Sequence, residues 1–449
     1  MKIYLIELRA GHTGVAAQYF NSLMLPILAV WAERLGWQAT VRFPAFNKVD
    51  FDIECDVVAL SLYTHLAPEG YEIARRFREM GKLVIIGGPH SKGCAEELKH
   101  HADLVFDRCN EAAWTDTLRA IENGELRAGG KSGQFINSDE MTDIPSYAEI
   151  APYYGKGKIP LLLSSLGCPH DCDFCTDWDT KYVKRSVDDV IQDLQDMKSR
   201  FFIFCDPNFG ANIKFTGELL KQMIPLQKKY MMETSLAWLA KDHYLQLLKD
   251  SGCIGLEVGI ESLTTVYKKN VLNGSESILE ETIKKIDKIK EYIPTIQINI
   301  VLGLDDDNED TFKLVEELYR RSSADTIALF VATPFPGTPY YDRMKQEGRI
   351  IEHNWKYYNC YDLTTTMKNF ELPDFCDQMI ELYKRIHSPW LIAKKIFANF
   401  KQYRNFKIAA MLTAVLLTRL FNTWFFSIPD YVRAKRRTQA MLEHREVQV

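Results

Sequence analysis

Short apolar runs alternate with helical stretches through the first 125 residues, and the alternation resumes at residue 160 and holds to about 330. In the first series the strand candidates are residues 2–8, 39–43, 56–62, 83–87 and 104–106, with helical patterns such as 16–35 and 71–80 between them. In the second they are 160–165, 202–205, 234–238, 254–258, 296–301 and 326–331, with helices at 187–198, 217–228, 242–250, 279–290 and 311–321. Strand–helix alternation favours parallel pairing, because a parallel neighbour needs a crossover that a helix supplies. The expected fold class is α/β. A doubly wound parallel sheet occupies 1–130, a linker 131–158, a partial barrel of six strand–helix units 159–345, and a helical C-terminal region 346–449.

Composition narrows the function classes. At 46% hydrophobic and 26% charged residues the chain is an ordinary globular protein. A net charge of -5 gives no overall signal for nucleic acid. The opening residues form a strand rather than a secretory signal. Ten cysteines in 449 residues are not a small disulfide framework, so a reducing, cytoplasmic setting is expected.

Ligands on doubly wound sheets sit beyond the carboxyl ends of the strands. The loops there are 9–14, 61–64 and 87–90, rich in glycine and small polar residues. Ser61, Thr64, Gly87 and Gly88 are therefore candidate cofactor contacts.

The first barrel strand runs into Gly167-Cys168-Pro169-His170-Asp171-Cys172-Asp173-Phe174-Cys175. This spacing can wrap three thiolates around three irons of a 4Fe-4S cubane, which usually takes four cysteines. No fourth lies nearby, which leaves one iron open for a small chelating ligand. The amino and carboxylate groups of S-adenosylmethionine suit that iron. The alternative is structural zinc, but zinc wants four ligands, and His170, the one extra donor, sits inside the same tight loop. The other cysteines (55, 94, 109, 205, 253, 360 and 376) are scattered and form no second ligand cluster.

Cys168-x3-Cys172-x-aromatic-Cys175 resembles the motif of the radical S-adenosylmethionine (SAM) superfamily. Phe204-Cys-Asp206-Pro-Asn208-Phe209 resembles its second-strand segment, and Gly252-Cys-Ile-Gly255-Leu-Glu257-Val-Gly259-Ile-Glu261-Ser262 its fourth-strand signature. Gly303-Leu-Asp305 and Thr333-Pro-Phe-Pro336-Gly337-Thr338 are similar to later segments of the cobalamin-binding branch. Ser61-Leu-Tyr63-Thr64 and Gly87-Gly88-Pro89-His90 give residues 1–125 the look of that branch's cobalamin domain. The resemblance implies that Cys168, Cys172 and Cys175 ligate the cluster and that Glu261 contacts the adenosine or ribose. It implies that Asp206 and Asn208 contact the methionine part or line the substrate pocket, and that Gly259 and Gly303 let backbone approach the ligand. The D-x-H-x-x-G segment that ligates cobalt in many cobalamin domains is missing. His12 stands near its place, and His90 is a loop contact, so cobalamin without a protein histidine ligand is expected.

The implied activity is radical methyl transfer to an unactivated carbon. The same cofactors also serve oxidation, cyclisation or rearrangement, and a sensor without turnover is the non-enzyme alternative. An external electron donor such as flavodoxin or ferredoxin is implied. High aromatic content and the apolar runs 408–417 and 420–428 suit a hydrophobic small-molecule substrate, a lipid or tetrapyrrole. With the basic stretch Arg433-Ala-Lys435-Arg436-Arg437, those runs also suit peripheral membrane contact; packing on the barrel is the simpler use of them.

Overall fold

The computed structural model describes residues 1–9, 21–129, 133–139, 141–154, 158–239, 241–264, 277–402 and 406–446. Residues 10–14 of the first loop, His12 among them, lie outside this set. The chain divides into two compact units. The first holds 1–206, 334–346 and 354–359, and the second holds 207–333, 347–353 and 360–449.

In the first unit, β1 (Lys2–Glu7), β2 (Gln38–Arg42), β3 (Val57–Ser61), β4 (Leu83–Gly87), β5 (Leu104–Phe106) and β6 (Gln134–Ile136) form one parallel sheet in the order β2-β1-β3-β4-β5-β6. The central strands are apolar on both faces because both faces are covered. Ile3, Leu5, Val57 and Ala59 pack with Trp31 and Trp114 from helices Met24–Glu33 and Glu111–Glu122. Tyr4, Ile6, Val58 and Leu60 pack with Ile73, Phe77 and Leu98 from helices Ala67–Glu79 and Ser91–Leu98.

The stretch expected to be a linker is built into this unit. Gln134–Ile136 is the sixth strand, and Met141, Ile150 and Tyr154 are buried in the core. Backbone pairing makes this strand; its three side chains are largely exposed and show no period to read.

The second strand series begins with β7 (Leu161–Leu162), followed by a two-residue antiparallel pair, β8 (Ser165–Leu166) with β9 (Val183–Lys184). Next comes β10 (Phe201–Phe209), whose residues through Asp206 belong to the first unit and pair in parallel with β7. In the second unit β11 (Lys229–Ser235), β12 (Cys253–Glu261), β13 (Thr295–Leu302) and β14 (Thr326–Val331) are parallel neighbours in order, with helices between them.

The third strand expected at 234–238 is instead Lys229–Ser235, where Tyr230, Met232 and Thr234 alternate inward. The apolar run Leu236–Leu239 that suggested the later position is a helical turn.

The C-terminal region is helical as expected: Leu372–Ile386, Pro389–Gln402, Phe406–Asn422 and Ile428–Glu446, with a π turn at Thr423–Ser427. It covers the outer edge of β14, where Val331 N–H donates to Cys360 O at 2.7 Å and Tyr383 OH to Leu329 O at 3.4 Å. An uncovered edge would present unpaired backbone groups. No described helix is long and apolar enough to cross a membrane.

Candidate functional site

The strand order of the first sheet reverses between β1 and β3, and doubly wound sheets bind ligands at the carboxyl end of such a switch point. Glu7 and Ser61 are register partners there, and Ser61 is in turn paired with Gly87. Ser61 Oγ donates to Glu7 Oε2 at 3.4 Å. Burial pushes the Glu7 carboxyl up to about 7, against the hydrogen bonds of Ser22 and Ser61 and the charge of Arg9. Thr64 is buried and opens the short turn after β3. Gly88 has φ +100°, and a Cβ on it would run into the backbone of Leu62. Its glycine is thus required by chain packing at the loop.

Tyr63 keeps 41% of its surface accessible. Yet burial, then the charges of Glu7, Asp177 and Cys205, push its phenol well above the usual range.

His90 is fully buried, its Nε2 lies 2.7 Å from Tyr71 OH, and Tyr71 OH donates to Glu97 at 2.9 Å. Burial holds its imidazole down at about 4.

The cysteine loop is closed at its base. Ser165 pairs with Lys184 and Leu166 with Val183. Gly167 has φ +65°, and a Cβ there would strike the backbone of Thr180 and Lys181. Within the loop Cys175 N–H donates to Cys172 O at 3.0 Å, and Asp177 N–H to Cys175 Sγ at 3.5 Å. Hydrogen bonds to a ligating sulfur tune a cluster's potential.

None of the three cysteines forms a disulfide; Cys172 is buried, and Cys168 and Cys175 are half-buried. Among the described residues no three His, Cys, Asp or Glu side chains form a group that could hold a metal ion directly. A cubane places its thiolates on separate irons, farther apart than the ligands of one ion. The fit to a cluster therefore rests on three thiols carried by one ring of chain with a pinned base.

Struts hold the ring. Trp178 Nε1 donates to Gly337 O at 2.8 Å, Tyr340 N–H donates to Asp173 O at 3.0 Å, and Arg343 pairs with Asp173 at 2.6 Å. The late segment Pro336-Gly337-Thr338 thus backs the cysteine loop. Lys92 donates to Thr176 O at 2.6 Å and pairs with Asp179, which Arg108 also meets at 2.9 Å. Lys92, Arg108 and Trp178 were not singled out from sequence. One signal was available in Gly93, a glycine inside a helix, which is costly unless backbone must come close. A Cβ there would collide with the backbone of Pro336 and Gly337.

Asp206 is buried, and its carboxylate is occupied. It accepts from Ser164 N–H at 2.8 Å, Ser164 Oγ at 2.5 Å and Ser165 Oγ at 2.6 Å. Burial raises its carboxyl pKa against these bonds. The expected ligand contact is in this structure a clamp on the chain entering the cysteine loop.

Asn208, in the second unit, is the reverse case: buried, with neither Oδ1 nor Nδ2 hydrogen-bonded. A buried carboxamide without partners costs several kcal/mol, on the order of 1–3 per group, unless a ligand satisfies it. In the same unit Gly259 is buried on β12, and the β12–β13 register shifts between Gly259 and Glu261. Glu261 has φ +66°, strained for a residue with a side chain, and such strain clusters at functional sites. Gly303 has φ +91°, and its N–H donates to Asp307 at 2.9 Å, while Asp305 pairs with Arg349 and Lys368.

A three-cysteine ring pinned at its base by the antiparallel pair β8–β9 suits an iron–sulfur cluster, and residues 162–318 match the model of the radical SAM superfamily. That stretch is a radical SAM domain, and a domain of this kind uses a 4Fe-4S cluster and S-adenosylmethionine. Beyond that domain the chain is similar to methyltransferases. Bacteriochlorophyllide d C-12(1)-methyltransferase of Chlorobaculum tepidum is 28% identical over 353 residues, 76% of each chain. The hopanoid C-2 methylase of Rhodopseudomonas palustris is 24% identical over 350 residues, 72% of this chain and 63% of that one. The structure of the radical S-adenosylmethionine methyltransferase TsrM from Kitasatospora setae, with cobalamin and a 4Fe-4S cluster bound, matches with a TM-score of 0.63. It is 16% identical and covers 77% of this chain and 78% of its own, a likeness of fold.

Proposed function

We propose that this enzyme is a cobalamin-dependent radical SAM methyltransferase acting on an unactivated carbon of a hydrophobic small molecule, a tetrapyrrole or an isoprenoid lipid. The observation that carries the reading is the pinned three-cysteine ring, carried in the same unit as a doubly wound sheet with Glu7 and Ser61 at its switch point. A corrin seated at the switch point would share that unit with the cysteine ring. Two sequence relatives are named as a bacteriochlorophyllide methyltransferase and a hopanoid methylase.

When bound, the cluster and S-adenosylmethionine supply one-electron cleavage for hydrogen abstraction, and cobalamin supplies the methyl group. The residues divide the remaining work. Cys168, Cys172 and Cys175 hold the cluster. Asn208 offers a donor and an acceptor to the polar groups of S-adenosylmethionine, and Glu261 takes its adenosine or ribose. Ser61, Thr64, Gly87 and Gly88 form the rim of the cobalamin site. His90 keeps its Nε2 on Tyr71 and is not assigned to the cobalt. A small electron carrier of the flavodoxin or ferredoxin class supplies the electron, and the enzyme works in the cytoplasm with its C-terminal helices at a membrane surface.

The test is comparative metabolite mass spectrometry of a deletion strain, followed by turnover of the accumulated compound with the anaerobically reconstituted enzyme. A product heavier by one methyl unit, with release of 5′-deoxyadenosine, is expected, and Cys175→Ala abolishes both. A product that has only lost hydrogen identifies oxidation or cyclisation instead. Absence of 5′-deoxyadenosine with every extract defeats the enzyme reading.

A further inference from the structure

Helix Phe406–Asn422 has two unlike faces. Leu412, Leu416 and Thr423 just beyond it are buried, and Arg419 on the same side donates to Gln297 of β13. The one charged residue that interrupts the apolar runs is therefore turned inward. Outward the helix shows Val415, Leu417 and Phe421, and no exposed position from 414 to 426 carries a charge. Outer faces of helices in water are normally charged or polar.

The π turn Thr423–Ser427 widens the backbone, and three successive aromatics emerge from it: Trp424, Phe425 and Phe426, the last two 64% and 51% exposed. Helix Pro389–Gln402 packs beside Phe406–Asn422 and adds Trp390 and Phe397, seven residues apart on one face and 65% and 72% exposed. Aromatic side chains bury roughly 150–250 Å² each when covered, so this patch exceeds what scattered surface residues present.

Charge says what covers it. Residues 384–449 carry thirteen Lys and Arg against three Asp and Glu, in a chain whose net charge is -5. Lys435, Arg437 and Arg433 are paired with Asp377, Glu352 and Asp430, while Lys394 lies 5.7 Å from the Trp390 ring and Arg436 is exposed beyond the aromatic turn. A second copy of this chain would bring two such basic regions together, which like-charge repulsion opposes. Apolar aromatics rimmed by basic residues match the interface of an anionic bilayer, where rings enter the acyl boundary and cations meet headgroups.

We propose that these two helices and the aromatic turn are a docking surface for an anionic membrane, through which an apolar substrate is reached. This deepens the membrane contact of the proposed function, and it is read without turnover, so its failure leaves the methyl transfer standing. The experiment is sedimentation of the full-length protein with phosphatidylcholine vesicles, with and without about one quarter phosphatidylglycerol. Binding is expected with the anionic vesicles, weaker with phosphatidylcholine alone and at high salt. Phe421→Ser with Phe425→Ser and Phe426→Ser lowers the bound fraction about tenfold or more at unchanged cluster content. Should that variant fold poorly, Arg433→Glu with Arg436→Glu removes the preference for phosphatidylglycerol. The proposal is overturned if the wild type stays in the supernatant, if both variants bind as it does, or if it is a dimer that the serine variant dissolves.

Discussion

Asp206 offers the sharpest test of how the cysteine loop is held. Its carboxylate accepts three hydrogen bonds from Ser164 and Ser165, which sit four and three residues before Cys168. Both serines are buried, at 2% and 3% exposure, so water cannot replace the acceptor freely. Asp206→Ala strands one backbone N–H and two hydroxyls. At about 1–3 kcal/mol per unsatisfied group, less what the hydroxyls recover by rotating and what is regained by removing a desolvated carboxylate, the loss is about 3–5 kcal/mol. For a unit of this size that lowers the first thermal transition by roughly 10 °C. Asp206→Asn keeps an acceptor for the Ser164 N–H and offers a donor to one serine oxygen, so its loss is about 1 kcal/mol.

The assay pairs anaerobic thermal unfolding with iron per chain after reconstitution. Asn should retain near wild-type iron, and Ala should lose it faster because the base of the ring is no longer pinned. An Ala variant that unfolds with the wild type and keeps its iron would refute the clamp. An Asn variant as damaged as Ala would show that the negative charge itself is needed.

Two further outcomes follow from the site. Glu7 titrates near 7 in the folded protein against 4.5 ordinarily, so the folded state holds the extra proton and stability falls as pH rises through that window, by up to about 3 kcal/mol. Glu7→Gln should flatten this slope and gain most above pH 7; equal slopes in denaturant titrations at pH 5 and 8 would remove Glu7 as the cause. Asn208→Leu deletes a buried carboxamide that has no protein partner, so the protein without S-adenosylmethionine should be as stable as wild type or more so. Its affinity for S-adenosylmethionine, measured by equilibrium dialysis, should drop about tenfold or more, and an unchanged affinity would sink the assignment.

The α/β class was legible in the sequence because apolar period and crossover length are local properties of the chain. Of the five strands expected before residue 125, 83–87 and 104–106 are identical and the other three recur within a residue at each end. The cysteine ring was legible for the same reason, since three thiols within eight residues already define what they can hold. Tertiary structure decided what the polar side chains do. Asp206 and Asn208 look alike in sequence, two residues apart on one strand, yet one is consumed by Ser164 and Ser165 and the other has no partner. Arg419 read as a break in an apolar run, and only its bond to Gln297, 122 residues away, turns it inward and leaves the outer face uncharged. The strand Gln134–Ile136 exists because β5 offers it an edge. A period is written in neighbouring residues, whereas a hydrogen-bond partner is chosen by whichever distant segment the fold brings within about 3 Å.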